Sequence, residues 1–595
     1  MAKVTFLTFY TEYSIGVHVL SSRLEMAGHE PSVIFFKLEA KDKIEWFKKN
    51  PTFYEKVDTS GDIIGYNSDV KKWTEHELEL LINKINDISP DLLCISSKTT
   101  DKDVLNVVVP EIKSRCDVFL IAGGFGPTLE PEFYTDLFDF IYIGEAENSI
   151  VELIETVQKG ISLSKFNNIY YKKNGKLIKN RLNIPDFKQF RLRAMPEHVF
   201  YIENNTITGF KDRHEIISTH TYSTFIGKGC ISSCSYCSAG NWNKLYKKEG
   251  IKLAKRRNRS LEDVLSELIE IKDKGYTFIF FRDEFLCADI NYLKSFFEIY
   301  AREINLPFWA FLVPHQVLIH PELLELAVDA GFVDTEVGFQ SGSDKINRRI
   351  FNRKISNKDT LDYVKLLSKY EINVKYDFII FNPVETIDDI QKTFDLIQLL
   401  PKERAYLQLA RLNVFPMSPI IDILKNYNYI DHNIEKYYCT ALLYHLCFVM
   451  PKKEFDSILH NENLVSSWKD LKSLYQSYLC DNNIEFMIGT HEIPNSITTP
   501  RYRRILKKKG YKDIIVWGAG QYYNEMSDIF DDSNILYLID DSKDKYFDNG
   551  YKISNPNVLK SLKNPIPIFI CSKHKQEIKN QIIRDYPEYG GKIYV

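Results

Sequence analysis

Between Cys230 and Cys237 the chain reads Cys-Ile-Ser-Ser-Cys-Ser-Tyr-Cys, three thiols spaced x3 then x2 beside a glycine-rich, aromatic stretch. Cysteine thiolates are the standard ligands of iron–sulfur clusters. This spacing wraps three of them around one face of a cube, supplies no fourth, and leaves one iron open to a small molecule. Other readings fit less well. A disulfide would strand an odd thiol and needs an oxidising compartment. A zinc site wants a second ligand pair at a recognisable distance, and the sequence offers none downstream.

The rest of the chain says what kind of protein surrounds this loop. Its 595 residues exceed a single core, so about three or four domains are expected. A net charge of −3 gives no overall basic field to recruit nucleic acid or membrane lipid. The ten cysteines show no framework spacing outside the trio, which points to a reducing, cytoplasmic setting. The start, Met-Ala-Lys-Val-Thr-Phe-Leu-Thr-Phe, reads as a first strand rather than a targeting segment. The longest apolar run, Tyr437 to Met450, is interrupted by His445 and is too short to cross a bilayer.

Hydrophobic patterning gives an α/β fold class. Residues 1–155 alternate strand and helix signals, with short apolar strands at Val4–Phe9, Glu30–Phe36, Leu92–Ser96, Val118–Ala122 and Phe140–Ile143, as in a Rossmann-like doubly wound sheet. Ligands of such sheets sit at the C-terminal strand ends, here followed by Ser96-Ser97-Lys98-Thr99 and Gly123-Gly124-Phe125-Gly126. A connector over 156–214 carries a hairpin signal at Asn174-Gly175. Residues 215–415 resume the βα rhythm, with strands at Phe278–Phe281, Phe308–Leu312, Thr335–Phe339, Val374–Phe381 and Leu407–Val414. About six such units make a partial (β/α)6 barrel. Residues 416–508 read as helical and show no catalytic pattern. A small Rossmann-like α/β unit follows at 509–595, with Gly518-Ala-Gly520 after a strand and Asp540 about twenty residues on. Tyr523 stands where that fingerprint wants its third glycine, so a ligand-free docking module suits the unit as well as a nucleotide site does.

The cysteine loop resembles the signature of the radical S-adenosylmethionine enzymes, including the aromatic Tyr236 before the last cysteine, and the likeness extends over roughly 215–415. It implies that Cys230, Cys234 and Cys237 hold a [4Fe-4S] cluster. S-adenosylmethionine would chelate the open iron and be cleaved to a 5′-deoxyadenosyl radical. Phe280-Phe281-Arg282-Asp283-Glu284-Phe285 resembles the family's second strand end, which implies that Asp283 and Glu284 hold the methionine ammonium. Val337-Gly338-Phe339-Gln340-Ser341-Gly342 resembles the segment contacting the cofactor's ribose and carboxylate, through Gln340 (where many relatives carry Glu) and Ser341. Asn382-Pro383-Val384-Glu385-Thr386 resembles a Gly-x-Pro-x-Glu-Thr turn and reads as a helix cap. Arg349 and Arg353 read as solvated helix charges.

The first domain resembles the cobalamin-binding domains of the corrinoid-dependent branch of that superfamily. The matching pieces place Ser96, Ser97, Thr99, Gly123, Gly124, Gly144 and Glu145 around a corrinoid. Aligned on Gly16, the histidine position of the corrinoid ligand motif falls on Tyr13. No histidine of that loop would then coordinate cobalt, and His18 reads as a helix residue. The resemblance implies a cobalamin-dependent methyltransferase acting on an unactivated carbon. It would take a small-molecule substrate, possibly a nucleotide-sugar or surface-glycan precursor, and electrons from a donor such as flavodoxin or ferredoxin. Alternatives are a radical enzyme with an empty first domain catalysing rearrangement, cyclisation or oxidation, and a cluster- or corrinoid-based sensor. The sequence names no acid–base dyad.

Overall fold

The computed structural model describes residues 1–10, 14–37, 56–57, 63–64, 73–183, 198–209, 221–286, 288–370, 372–412, 414–425, 427, 434–481, 502, 506, 509–519, 523, 527–530, 533–540, 553–562, 564–572, 575–590 and 592–594. Tyr13 and Gly520 lie outside them.

The first sheet contains β1 (Lys3–Phe9), β2 (Glu30–Phe36), β3 (Leu92–Ser96), β4 (Phe119–Gly123), β5 (Phe140–Tyr142), β6 (Ile169–Lys173), β7 (Lys176–Lys179), β8 (Val199–Glu203) and β9 (Thr206–Gly209). Their spatial order is β9-β8-β2-β1-β3-β4-β5-β6-β7. Strands from β8 to β5 run parallel, and the outer hairpins are antiparallel. The two-residue period of a strand divides its apolar residues between two cores. Leu7, Phe9, Ile34 and Phe36 enter one, while Val4, Phe6, Val33 and Phe35 enter the other. The segment read as a connector is therefore an extension of this sheet at both edges. The winding reverses between β1 and β3, where doubly wound sheets bind ligands.

The second sheet runs in chain order through β10 (Thr221–Thr224), β11 (Phe278–Phe281), β12 (Phe308–Trp309), β13 (Phe332–Gln340), β14 (Asn373–Ile380) and β15 (Ala405–Arg411). All pairings are parallel, giving the six-stranded partial barrel expected. Ile279 and Phe281 point outward into the helix-covered core, and Phe278 and Phe280 pack on the other face with Trp309 and Val333. The apolar run around His445 is a helix, Ile434–Val449, whose Leu442, Tyr444 and Leu446 close the outside of the barrel. Among the described residues no helix is long and apolar enough to cross a membrane. The first domain meets the barrel through α1 (Ile15–Met26). Its His18 packs edge-on against Tyr222 at 5.6 Å, and Val19 packs on Phe225.

The last unit is a five-stranded parallel sheet. Its Asp540 accepts a 2.9 Å hydrogen bond from the Ala519 amide. At Gly518 a Cβ would lie 2.2 Å from the Cys571 carbonyl. Both features of the expected fingerprint thus have a use in closing the turn itself.

Candidate active site

The chain is brought to the cysteine loop by β10 and leaves it through a short antiparallel pairing of Gly227–Lys228 with Arg257–Asn258. Two glycines allow this crossing. A Cβ on Gly227 would sit 2.3 Å from Asn258 Oδ1, and one on Gly229 would sit 2.3 Å from the Lys255 carbonyl. Asp283, at the end of β11, fixes the same crossing by accepting the amides of Ile226 at 2.9 Å and Gly227 at 2.8 Å. It also pairs with Arg256. Arg256 in turn donates to the carbonyls of Gly227 at 3.1 Å and Gly229 at 3.3 Å. Burial pushes the Asp283 carboxyl above its usual range, with the guanidinium and the two amides opposing that rise. Its oxygens are committed to the chain itself.

The loop is pinned on its far side as well. Ser235 donates its amide to the Phe351 carbonyl at 2.9 Å and its hydroxyl to the Ile350 carbonyl at 2.5 Å. Its own carbonyl accepts the Ile420 amide at 3.1 Å. Tyr236 packs edge-on against Phe351 at 5.0 Å and its hydroxyl accepts from Arg353. Arg353 also donates to the Gly338 carbonyl. It is therefore a strut between loop and barrel, not the solvated charge its sequence context suggests. Cys230, Cys234 and Cys237 are left as half-buried cysteines on a braced loop, none of them in a disulfide. Burial, with Cys237, Glu284 and Cys234 nearby, pushes the Cys230 thiol up to about 11. Three soft sulfur donors on one short loop suit a polynuclear cation, and by donor chemistry the residues present fit an iron–sulfur cluster.

At the end of β13, Gln340 takes a left-handed φ of 67°. Its amide folds back so that a Cβ on Gly338 would meet Gln340 Nε2 at 2.4 Å. Ser341 is fully buried and donates to Glu385 at 2.7 Å. Burial pushes the Glu385 carboxyl up to about 7. The turn after it is a helix cap, as expected: Thr386 and Asp389 form a capping box on Ile387–Ile397.

A cavity of about 630 Å³ opens where the C-terminal ends of β1, β3, β4 and β5 face the segment entering the cysteine loop. It brings together Ser96, Ser97, Gly123, Gly124, Gly144 and Glu145 from the first domain with Glu284 from the barrel. Thr99, Tyr236, Asp283, Gln340, Ser341 and the loop cysteines Cys230, Cys234 and Cys237 do not line it. One part is a slot between the sheet and the helices α1 and α2 (Ile150–Gln158), lined by Phe6, Ile121, Leu20 and Leu153. Gly124 marks its rim, with φ at 100° and room for no Cβ, since one would lie 2.9 Å from the Ser97 carbonyl. Ser97 itself faces the fold, its hydroxyl 2.6 Å from that of Tyr134. Gly144 makes room for Tyr246, whose hydroxyl accepts the Glu145 amide at 3.0 Å.

Across the cavity, Glu145 takes both prongs of Arg257 at 3.0 and 2.5 Å and the indole N–H of Trp242 at 3.0 Å. Lys228 pairs with Glu147. Lys228, Trp242, Arg256 and Arg257 escaped the sequence reading. The basic run from Lys252 to Arg259 was the visible signal for Arg256 and Arg257; Lys228 and Trp242 lie outside it.

Comparisons with known proteins agree with this geometry. Residues 224–397 match the radical SAM superfamily, and residues 510–589 match the family described as C2185-like, N-terminal. An uncharacterized methyltransferase of Pyrococcus horikoshii is 23% identical over 55% of this chain and 68% of its own length. A tRNA-2-methylthio-N(6)-dimethylallyladenosine synthase of Finegoldia magna is 26% identical, with only 38% of its length covered. Among solved structures, the cobalamin-dependent S-adenosylmethionine radical enzyme OxsB with aqua-cobalamin bound is similar with a TM-score of 0.56, at 14% identity over 89% of this chain and 84% of that one. The radical S-adenosylmethionine methyltransferase TsrM from Kitasatospora setae, with cobalamin and a [4Fe-4S] cluster bound, gives 0.52 at 15% identity over 71% and 78%.

Proposed function

We propose that the chain, whose residues 224–397 match the radical S-adenosylmethionine superfamily, is a cobalamin-dependent methyltransferase acting on an unactivated carbon of a small molecule. The observation that carries this reading is the two-part cavity between the first sheet and the cysteine-loop segment. A corrinoid needs a broad face and a slot for its nucleotide tail. The cavity pairs a glycine-turn rim with an apolar slot at the switch point of a doubly wound sheet. The folds shared with OxsB and TsrM, whose structures contain cobalamin, support it.

When bound, the cluster supplies the electron and open coordination site for splitting S-adenosylmethionine, and the corrinoid supplies the methyl group. The chain's own residues do the placing. Cys230, Cys234 and Cys237 would hold the cluster, with Asp283 and Arg256 fixing the strand that delivers Cys230. Ser96, Gly123 and Gly124 would let backbone approach the corrinoid closely. Phe125 and Trp242, whose rings pack together at 4.9 Å in the cavity wall, would shield it from water. Within the described residues no histidine lines this cavity, so the corrinoid would carry no imidazole ligand from them.

Anaerobic reconstitution tests the reading directly. The protein should retain near-stoichiometric corrinoid after desalting. It should form 5′-deoxyadenosine when given dithionite and S-adenosylmethionine. A preparation that builds its cluster and cleaves S-adenosylmethionine yet never binds cobalamin would sink the methyltransferase assignment.

A further inference from the structure

Two strongly basic segments meet the cysteine loop, and the cofactor reading leaves their exposed charges unused. Residues 239–255 and 343–354 together carry ten lysines and arginines against two carboxylates, Glu249 and Asp344, in a chain whose net charge is −3. The fold brings both segments against the loop, at different points. At its start, a Cβ on Gly229 would lie 2.3 Å from the Lys255 carbonyl, so the first segment ends against the residue before Cys230. The helix of that segment, Ala239–Lys248, begins two residues after Cys237. At the middle of the loop, the Phe351 carbonyl accepts the Ser235 amide, and Asn352 donates to the Ser233 carbonyl at 2.8 Å. The helical turn Ile346–Ile350 leads straight into these contacts.

Lys244, Lys248, Lys252 and Lys255 on the first segment, with Arg348 and Arg349 on the second, all reach solvent. Lys345 pairs with Asp389 nearby. Among the described residues, however, none of those six cations makes an ion pair, and neither does Glu249 or Asp344. Lys244 and Lys248 stand one helical turn apart on one face, where like charges repel. The C-terminus of their helix favours a cation at Lys248, but that field fades within the last turn, and Lys244 lies mid-helix. Gathering these charges costs the fold stability, so their use lies outside the chain. Beside them the loop turns its own face to solvent: Ile231 is 41% exposed, and Ser233 is exposed too. The aromatic residues of both segments point elsewhere, Trp242 into the cavity wall and Tyr246 and Phe351 into the fold. No stacking platform for a nucleic-acid strand therefore stands among these cations.

We propose that this basic surface docks an acidic redox protein that delivers electrons to the cluster, its carboxylates facing these six cations and its redox centre facing Ile231. This rests on the cluster reading, because a cluster on Cys230, Cys234 and Cys237 is what gives an electron carrier a reason to stop at this loop. In the transfer, the carrier's reduced centre is oxidised by one electron, and the cluster takes that electron up. No bond forms or breaks, and no proton moves. Opposite charge speeds such encounters, and a small electron-transfer interface lets the oxidised carrier leave again.

The test titrates full-length protein, its cluster reconstituted and oxidised, with an acidic flavodoxin in a calorimeter. The dissociation constant should rise about tenfold or more between about 50 and about 300 mM NaCl, since salt screens exposed charges. Lys244→Glu combined with Lys248→Glu and Lys252→Glu should weaken binding about tenfold. Arg348→Glu with Arg349→Glu should do the same from the other segment, so a folding defect in one segment cannot account for both. Lys365→Glu with Lys369→Glu, exposed positions where the chain approaches the start of β14 at the base of the barrel, should leave binding unchanged. Given S-adenosylmethionine, both reversed segments should form 5′-deoxyadenosine at the wild-type rate with dithionite and several-fold more slowly with reduced flavodoxin. The proposal is overturned if wild type binds no flavodoxin, if the reversed segments bind it as wild type does, or if the base-of-barrel variant loses as much. Tighter binding of poly(U) than of flavodoxin would overturn it as well. Absence of 5′-deoxyadenosine with dithionite, in wild type and variants alike, would instead count against the radical reading, on which the calorimetry does not depend.

Discussion

Asp283 illustrates how a residue can matter to a cofactor without touching it. Its carboxylate holds two amides of the strand entering the cysteine loop and pairs with the arginine that braces the loop's carbonyls. Removing one partner of a buried ion pair costs about 3–5 kcal/mol. Asp283→Asn should therefore lower both the melting temperature and the iron bound per chain after reconstitution. Full iron content at an unchanged melting temperature would show that the loop is positioned by other contacts. Glu385 offers a pH test at the same scale. Its carboxyl, pushed up by burial to about 7 from an ordinary 4.5, accepts from Ser341 at the mouth of the barrel. A raised folded-state pKa means the native state holds its proton longer than the unfolded chain does. That stabilising contribution is complete below pH 4.5 and is lost as pH climbs through 7. Glu385→Gln cannot titrate, so its melting temperature should rise relative to wild type between pH 5 and pH 8, with the pH slope of unfolding reduced by about one proton. Parallel pH profiles would refute this.

Among the elements, the turn after β4 carries the strictest steric demand. Gly124 holds a positive φ and a Cβ there would press on the Ser97 carbonyl at 2.9 Å, in a turn whose Gly126 amide donates back to that same carbonyl. Gly124→Ala should push this turn into the cavity, cutting corrinoid retention about tenfold or more while leaving the cluster's visible absorbance intact. Retention equal to wild type would remove the turn from the corrinoid site. The same element shows what a sequence discloses. Short apolar strands ending in Ser-Ser or Gly-Gly are written in local composition, because period and turn chemistry act over a few residues. So β2, β3 and β11 fall where patterning puts them, and the barrel's strand order follows from its βα rhythm. The uses of Asp283 and Ser341 are set by partners 57 and 44 residues distant. Local pattern marks them as polar strand ends but cannot say that their acceptors and donors are already spent inside the fold. Arg353 was misread for the same reason: its acceptor, Gly338, is reached only after the chain turns back on the barrel.

Across the whole molecule, the cavity exists only if the first domain and the barrel stay in register. The strongest tie between them is Glu145, buried and holding both prongs of Arg257 and the Trp242 indole, with Lys228 3.9 Å away. These cations, aided by hydrogen bonds, keep the Glu145 carboxyl below its ordinary range even though burial opposes them. A depressed folded-state pKa contributes stability above the unfolded value and loses it as pH falls, so the domain contact should weaken on acidification. A planar guanidinium matches a carboxylate with two parallel bonds, which an ammonium cannot do. Arg257→Lys should thus keep the charge but loosen the alignment, lowering corrinoid affinity several-fold with little change in cluster content. Glu145→Ala leaves Arg257 and Trp242 without this acceptor and should cost about 3–5 kcal/mol, concentrated at the domain contact. Calorimetry of the corrinoid-free protein should then resolve the first domain and the barrel as separate transitions. In wild type the two should melt together. If Glu145→Ala still unfolds as wild type does and holds cobalamin equally well, the packing of α1 against Tyr222 and Phe225 is what keeps the two halves of the cavity together.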